Sequence, residues 1–177
     1  MQSVARTGLA VLLAMGVAVA APAGKPTRVM VHVVARDAKL LGTHVGGARI
    51  TLREAATGKV LAEGVQQGES GDTKRIMVEP HRRGAALYDT PGAAGFLATV
   101  TLERPTVVEI SAEGPLGHPQ AMERASKTLL LVPGEDVLGD GVVLEIHGFI
   151  LEFLEPTAGA HVKAGDAIPV RAKMTLT

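Results

Sequence analysis

The amino-acid sequence predicts an all-β protein, an antiparallel β-sandwich behind a cleavable signal peptide. From residue 27 onward, short apolar runs with a period of two recur at close spacing between Gly and Pro turns, and no segment has a helical period of useful length. Hydrophobic residues make up 46% of the chain but aromatic residues only 2%. The core must therefore be aliphatic, which favours pleated sheets.

The N-terminus carries the pattern of a secretory signal. Arg6 supplies a basic start, residues 8–19 are apolar, and Ala18 and Ala20 form an A-x-A cleavage site, with a cut after Ala23 as the alternative. The apolar run is shorter than the roughly 20 residues that span a bilayer. We therefore expect residues 1–20 to be removed, leaving a periplasmic or secreted product with no stable membrane anchor.

Charge and cysteine content narrow the partners. The chain has 18 basic and 18 acidic residues, and removing Arg6 with the signal leaves one net negative charge, so nucleic acid is not an expected partner. Because there is no Cys, no disulfide can brace the fold and no lipid-modified cysteine can tether it. Stability must come from burial and sheet pairing.

The first predicted strands have one apolar face each. In residues 27–33, Val29, Val31 and Val33 share a face, which predicts a half-buried strand. Residues 48–53 form a second strand with a charged outer face. A turn containing Gly58 follows, and residues 60–65 return as the other half of a hairpin.

The middle of the chain combines a loop with an apparent hairpin. Residues 74–78 are interpreted as a short strand, and residues 81–95 as a loop that is either functional or disordered, since about fifteen residues is long for an unstructured connection. Residues 96–102 and 108–112 then alternate regularly and are interpreted as two strands of a β-hairpin.

Three further apolar runs lie at residues 127–132, 142–146 and 149–154, with a tight turn at 139–141. The main sandwich is therefore expected to occupy residues 27–154. The count of about eight or nine short strands is typical of a sandwich or barrel.

A family resemblance refines the fold. Residues 45–76 carry V-G-G-A-R-I-T-L-R-E-A-A-T-G-K-V-L-A-E-G and then a turn with Gly71 and Asp72. This stretch resembles the opening of the carboxypeptidase regulatory-like, or transthyretin-like, β-sandwich family, and the likeness covers roughly residues 29–112. It implies an immunoglobulin-like sandwich used for binding, packing or cell-surface roles, without its own catalysis. The long loop at 81–95 and the strands after residue 127 depart from that pattern.

The C-terminal segment, residues 155–177, contains P-T-A-G-A-H-V-K-A-G-D-A-I-P-V, which resembles the first strands of bacterial immunoglobulin-like modules. It is either the last strand pair of the same sandwich or the start of a second module.

Motifs for catalysis and cofactor binding are absent from the sequence. There is no G-x-S-x-G, and Ser70 in G-E-S-G-D is interpreted as a turn residue, although an unrecognised hydrolase stays a third hypothesis. Neither glycine-rich phosphate-binding motif occurs. Asp136, Asp140 and Gly141 lack the spacing of a calcium loop and are interpreted as turn residues. We expect neither an enzyme nor a bound cofactor.

Copper binding is the alternative function. Thioether and imidazole groups suit copper, particularly in an exported protein without thiolates. The sequence places them in three pairs: Met30 with His32, Met77 with His81, and His118 with Met122. Surface or rim positions are the competing interpretation of these residues.

A small basic cluster marks the long loop. Lys74, Arg75, Arg82 and Arg83 are interpreted either as a solvated charge run or as a contact for an acidic partner or a glycan. The sequence thus predicts an exported, non-enzymatic β-sandwich binding or structural accessory protein of the periplasm or cell surface, with an unknown protein or glycan as its partner. The oligomeric state is left open.

Overall fold

The computed structural model describes residues 23–176, which form a mostly β structure. The predicted all-β class is confirmed, and the proposed signal peptide at residues 1–20 lies outside the described residues. This part of the chain contains nine strands and one short α-helix. The strands are β1 (Lys25–Ala35), β2 (Arg49–Glu54), β3 (Val60–Val65), β4 (Phe96–Leu102), β5 (Thr106–Gly114), β6 (Glu123–Leu131), β7 (Val137–Ile146), β8 (Phe149–Glu155) and β9 (Arg171–Leu176).

The strands form three sheets. One has the order β4-β1-β7, a second has the order β3-β2-β5-β6, and β8 and β9 form a separate two-stranded sheet. The first two sheets share one aliphatic core. Its inward-facing side chains include Val29, Val31 and Val33 of β1, Ile50 and Leu52 of β2, Val100 of β4, Ile110 of β5 and Leu144 of β7. Each such side chain contributes about 1.5–3 kcal/mol when fully buried. The predicted inward faces of residues 29–33 and 96–102 are therefore confirmed.

The predicted hairpin between residues 96–102 and 108–112 is wrong, although both strands exist. β4 pairs with β1, whereas β5 pairs with β2 and β6 in the other sheet. Both strands turn an apolar face inward, with Val100 on one side of the core and Ile110 on the other. The short connection between them crosses from one sheet to the other, so the two strands lie on opposite sides of the core.

The predicted antiparallel pairing holds for five of the six strand pairs in the described residues, and the sixth is parallel. β1 pairs with β7 in parallel, with Val33 opposite Leu144 and Ala35 opposite Ile146. A parallel neighbour requires a long crossover. Here the chain passes through the second sheet in β5 and β6 before β7 returns beside β1.

Residues 74–78 form a helix rather than a strand. Helix α1 (Thr73–Met77) begins after Asp72, whose side chain accepts a hydrogen bond from the backbone N–H of Arg75 at 3.1 Å. This is an N-cap, and it satisfies one of the free donors of the first helical turn. Within the helix only Ile76 is buried, so these residues do not present the alternating face of a strand.

The terminal strands pair with each other. β9 is antiparallel to β8 and to no other described strand, and Ile150 of β8 is buried in the main core. The segment therefore folds back on β8, while its assignment to a first or second domain stays a prediction. Within residues 23–176 the structure has no helix with the length and hydropathy of a membrane span.

Candidate functional site

A cleft of about 720 Å³ lies on the outer face of the three-stranded sheet, where residues 72–88 pass over β1 and β7. Its polar lining comes from Asp72, Arg75, Glu79, His81, Arg82, Tyr88 and Asp140. Six of these seven residues belong to residues 72–88, which the sequence predicts as a turn, a short strand and the first part of the long loop. The seventh, Asp140, comes from β7.

A bulge in β7 places Asp140 at this cleft. Val29 of β1 pairs with Val137, but Val31 pairs with Val142, so β7 carries three extra residues across this step. The glycines on either side of Asp140 have positive φ angles of 69° and 53°, which glycine adopts without strain. The predicted tight turn at residues 139–141 is therefore a bulge within a strand. Such bulges re-aim a side chain.

The Asp140 carboxylate holds the long loop by its backbone. It accepts hydrogen bonds from the N–H groups of Leu87 at 2.6 Å, Tyr88 at 2.7 Å and Asp89 at 2.9 Å. Partial burial opposes ionisation of this carboxyl, but the three backbone donors outweigh it and lower the pKa of Asp140 below its ordinary value. Asp140 thus fixes the inner wall of the cleft.

Further contacts anchor the C-terminal end of the loop. The backbone N–H of Glu69 donates to Gly92 O at 2.7 Å, and that of Ala94 donates to Glu69 O at 2.9 Å. A second small core beneath the loop consists of Val34, Leu40 and Ala94, with Tyr88, Ala93 and Val143 packed against it. Residues 81–95 are an anchored loop that frames a cleft, and a functional role for this loop stays a prediction.

Gln66, which follows β3, forms buried hydrogen bonds to β1 and to the chain that follows it. Its side chain is fully buried, and its Oε1 accepts from the backbone N–H of Val33 at 2.6 Å. Its Nε2 donates to the carbonyls of Val33 and Leu41, each at 2.9 Å. Val33 O also accepts from the backbone N–H of Leu41 at 3.0 Å. Gln66 therefore supplies the partner of the Val33 N–H and of the Leu41 carbonyl, beyond the point at which β4 stops pairing with β1.

The charged groups of the cleft differ in whether they have partners. Asp72 caps α1, Glu79 pairs with Lys74 at 3.3 Å, and Asp140 holds the loop backbone. By contrast, Arg75 and Arg82 form no ion pair within the described residues, and both line the cleft. Of the four residues in the predicted basic cluster, only Arg75 and Arg82 are therefore unpaired basic groups of the cleft. Lys74 is paired with Glu79, and Arg83 does not line the cleft.

His32 lies beneath the loop with one nitrogen unsatisfied. The ring is 2% exposed, and its Nδ1 is 2.7 Å from the carbonyl oxygen of Ala94. Because a carbonyl only accepts, Nδ1 donates this hydrogen bond, which leaves the lone pair of the neutral imidazole on Nε2. In the described part of the chain this Nε2 is buried without a hydrogen-bond partner. The ring of Tyr88 lies 6.2 Å away between centroids.

Met30 lies beside the same histidine. A Cβ added at Gly95 would come within 2.9 Å of His32 Cε1 and 3.1 Å of Met30 Sδ. Both side chains therefore pack against this glycine, on the outer face of β1 as the alternation predicted. The thioether of Met30 and the imidazole of His32 therefore lie close together beside Gly95.

The other two predicted pairs are placed differently. Met77 and His81 line a smaller hollow of about 440 Å³ that also reaches Tyr88, and Nε2 of His81 donates to Ile76 O at 2.9 Å. His118 and Met122 flank a 3₁₀ turn, Pro119–Ala121, which contacts β8. The three pairs do not converge on one centre. No group of three or more His, Asp or Glu side chains suited to a metal ion occurs among residues 23–176.

The hydrolase hypothesis gains no support from the geometry. Ser70 precedes the capping residue Asp72, and no hydrogen bond within the described residues joins its hydroxyl to a histidine. Sequence reasoning missed Tyr88 and the role of Asp140 in the site. The Gly-Asp-Gly triplet at residues 139–141 was the one local signal of Asp140.

Comparison with protein-family models, curated proteins and solved structures finds no match to this chain. The resemblance to the carboxypeptidase regulatory-like family therefore stays a prediction.

Proposed function

We propose that this chain is an exported, immunoglobulin-like β-sandwich without catalytic activity, and that it binds an acidic glycan in the cleft between residues 72–88 and Asp140. The observation that carries the proposal is a pair of guanidinium groups, those of Arg75 and Arg82, which line one cleft without ion partners in the described residues. The acidic residues of the same cleft already have protein partners.

The backbone around the cleft supports binding. Ligand sites are concave, and they are largely formed before the ligand arrives. Here the carboxylate of Asp140 holds Leu87, Tyr88 and Asp89 in place. A ligand would therefore bind without first ordering this wall of the cleft, which lowers the entropic cost of binding.

The side chains favour a ligand that combines carboxylates with hydroxyls. A guanidinium group binds a carboxylate through two parallel hydrogen bonds. The ring of Tyr88 adds an apolar surface with a hydroxyl at its edge. Uronic acid units carry both kinds of polar group, so an acidic glycan matches this lining better than an apolar ligand does.

The test compares charged and neutral oligosaccharides. Calorimetric titration of the purified chain with an oligogalacturonate is expected to show saturable binding that weakens with salt, since charge pairs are screened. Arg82→Ala should weaken binding roughly tenfold, equivalent to about 1.4 kcal/mol, within the range for hydrogen bonds to charged groups.

Arg83→Ala is the matched control. It removes the same charge from the neighbouring position, which does not line the cleft, and should change affinity less than about twofold. Equal weakening by both variants would mean that only net charge matters. Absence of saturable binding to any acidic oligosaccharide would refute the proposal.

Copper binding is the second candidate, favoured by one observation. The buried Nε2 of His32 has no hydrogen-bond partner within the described residues, and the Met30 sulfur packs against the same glycine. A lone pair in that position costs about 1–3 kcal/mol when nothing satisfies it, and a Cu(I) ion would use both groups. Binding there requires the loop above His32 to open.

Cu(I) titration monitored by methionine methyl and histidine ring resonances distinguishes this candidate. We expect a stoichiometric site that Met30→Leu weakens and Met77→Leu leaves unchanged. If Met77→Leu weakens it equally, the metal is bound at the rim; if no stoichiometric site forms, the copper alternative is rejected.

A further inference from the structure

The exposed apolar side chains of this protein are concentrated in its last two strands and their connection. Among residues 23–176, nineteen large hydrophobic side chains are exposed, and nine of them belong to residues 149–176. Two of the three phenylalanines of the chain are in this group: Phe149 is 59% exposed and Phe153 is 67% exposed. Single exposed apolar residues are ordinary, but a concentration of them marks an interaction surface.

The pairing register puts six of the apolar side chains on one side of the β8–β9 hairpin. Three cross-strand pairs share this side: Phe149 with Leu176, Leu151 with Met174, and Phe153 with Ala172. We call these six residues the outer hairpin face. None of them is charged.

The opposite side of the hairpin has a different character. There Ile150 is buried in the main core, and Glu152 stands opposite Lys173. The charged residues Glu152 and Lys173 therefore lie on the same side of the hairpin as the buried Ile150. The remaining charged pair, Arg171 and Glu155, lies at the end of the strand pairing and forms an ion pair at 3.2 Å. The outer hairpin face points away from the core.

Physical chemistry makes this arrangement unfavourable in a solitary molecule. A two-stranded hairpin is marginal in water unless its apolar face is covered. Within the described structure β8 and β9 pair only with each other, so each also has an unpaired edge. Covering the outer hairpin face would remove the larger part of this cost.

The composition of the face identifies its occupant. Because the face has no charge, an identical face opposes it without an unpaired ion, and homodimer interfaces are more apolar than transient ones. From the exposed fractions and about 150–250 Å² per aromatic side chain, the face offers roughly 500 Å² per copy. Two copies would bury roughly 1,000 Å², which reaches the lower limit for a specific interface.

We infer that the outer hairpin face packs against the same face of a second copy of this chain across a two-fold axis. The contact is isologous, so that each of the six side chains contributes twice. The interface lies apart from the cleft, and the inference does not depend on glycan binding.

Sedimentation equilibrium of the purified chain from about 1 to about 200 µM is the test, because this range covers the association of weak dimers with small interfaces. We expect reversible dimerisation, and Phe153→Lys should raise the dissociation constant at least roughly 30-fold by placing two like charges in an apolar contact. Leu130→Lys, at a side chain 57% exposed on β6, is the matched control and should leave the dimer unchanged.

A second variant guards against misfolding. If Phe153→Lys loses the β-sheet circular dichroism signal, Met174→Glu on the partner strand replaces it, with the same expected loss of dimer. A chain that stays monomeric over the whole range overturns the inference. So does a dimer that Leu130→Lys weakens as much as the hairpin variants do. A monomer that floats with phosphatidylcholine and phosphatidylglycerol vesicles would assign the face to lipid instead.

Discussion

The backbone N–H of Tyr88 donates a 2.7 Å hydrogen bond to Oδ1 of Asp140, although the two residues are 52 positions apart. The same carboxylate accepts from the neighbouring N–H groups of Leu87 and Asp89. One side chain on a bulged strand therefore holds three consecutive residues of the loop, and the shape of the cleft depends on it.

Asp140→Ala is expected to loosen the loop without unfolding the sheets. Water surrounds part of this contact, so we expect the three bonds together to contribute only about 1–2 kcal/mol, below the sum for buried charge-assisted bonds. Hydrogen exchange at residues 87–89 should accelerate roughly tenfold, with β2 and β5 unaffected. Asp136→Asn is the control, because Asp136 bonds Arg28 and not the loop. Unchanged exchange at residues 87–89 in Asp140→Ala would contradict the role.

Acid should release the same loop. Because the backbone donors keep the pKa of Asp140 below its ordinary 3.8 in the folded protein, its contribution to stability is complete above pH 3.8 and is lost as pH falls through the lowered value. The chain has one tyrosine and no tryptophan, so intrinsic emission reports on Tyr88 alone. We expect an emission change below pH 3.8 in the native chain. Its persistence in Asp140→Asn would assign the transition to another carboxyl.

The phenol of Tyr88 should ionise at unusually alkaline pH. Burial raises the pKa of Tyr88 above 10.0, and the nearby carboxylates of Asp140 and Glu145 raise it further. Spectrophotometric titration of tyrosinate should thus give a single midpoint above pH 10.0. Glu145→Gln should lower this midpoint, while Glu69→Gln, which removes a loop carboxylate that does not act on Tyr88, should not. A midpoint at or below pH 10.0 in the native chain would contradict the burial of this ring.

Gln66→Ala should be strongly destabilising. The substitution leaves the N–H and C=O of Val33 and the C=O of Leu41 without their side-chain partner inside the protein. The C=O of Val33 still accepts from the backbone N–H of Leu41 at 3.0 Å, so two groups are orphaned. At about 1–3 kcal/mol for each, partly relieved by water entry, we expect a loss of about 2 kcal/mol in the free energy of unfolding. Urea denaturation measures it, with Gln67→Ala at the adjacent exposed position as the control. A loss within about 0.5 kcal/mol of that control would show that the buried bonds contribute little.

Local pattern was sufficient for the strands themselves. Val29, Val31 and Val33 alternate with polar or larger residues, and period two follows directly from the pleat of a strand. The positions of Met30 and His32 on one outer face were predictable for the same reason. Whether a segment forms a strand depends mainly on residues that are close together in the sequence, so the sequence alone is sufficient to predict it.

Pairing and the site were not predictable in this way. β4 and β5 alternate equally well, and only the shared core decides that they lie in opposite sheets. In the sequence, Asp72 is indistinguishable from a turn residue. Its role as an N-cap follows only from the hydrogen bond that the N–H of Arg75 donates to it. The role of Asp140 depends on a bulge and on backbone groups about fifty residues earlier, and no local signal encodes that distance.

The parallel pairing of β1 with β7 has a consequence for biogenesis. Val31 at the beginning of the chain finds its neighbour Val142 only after nearly all of the sandwich has been synthesised. Contacts of such high sequence separation slow folding. β4 can pair with β1 earlier, but the other side of β1 stays unpaired until β7 is present. For the export route proposed above, the sheet would therefore be incomplete until the seventh strand has crossed the membrane, so topology would favour translocation of a chain that is not fully folded.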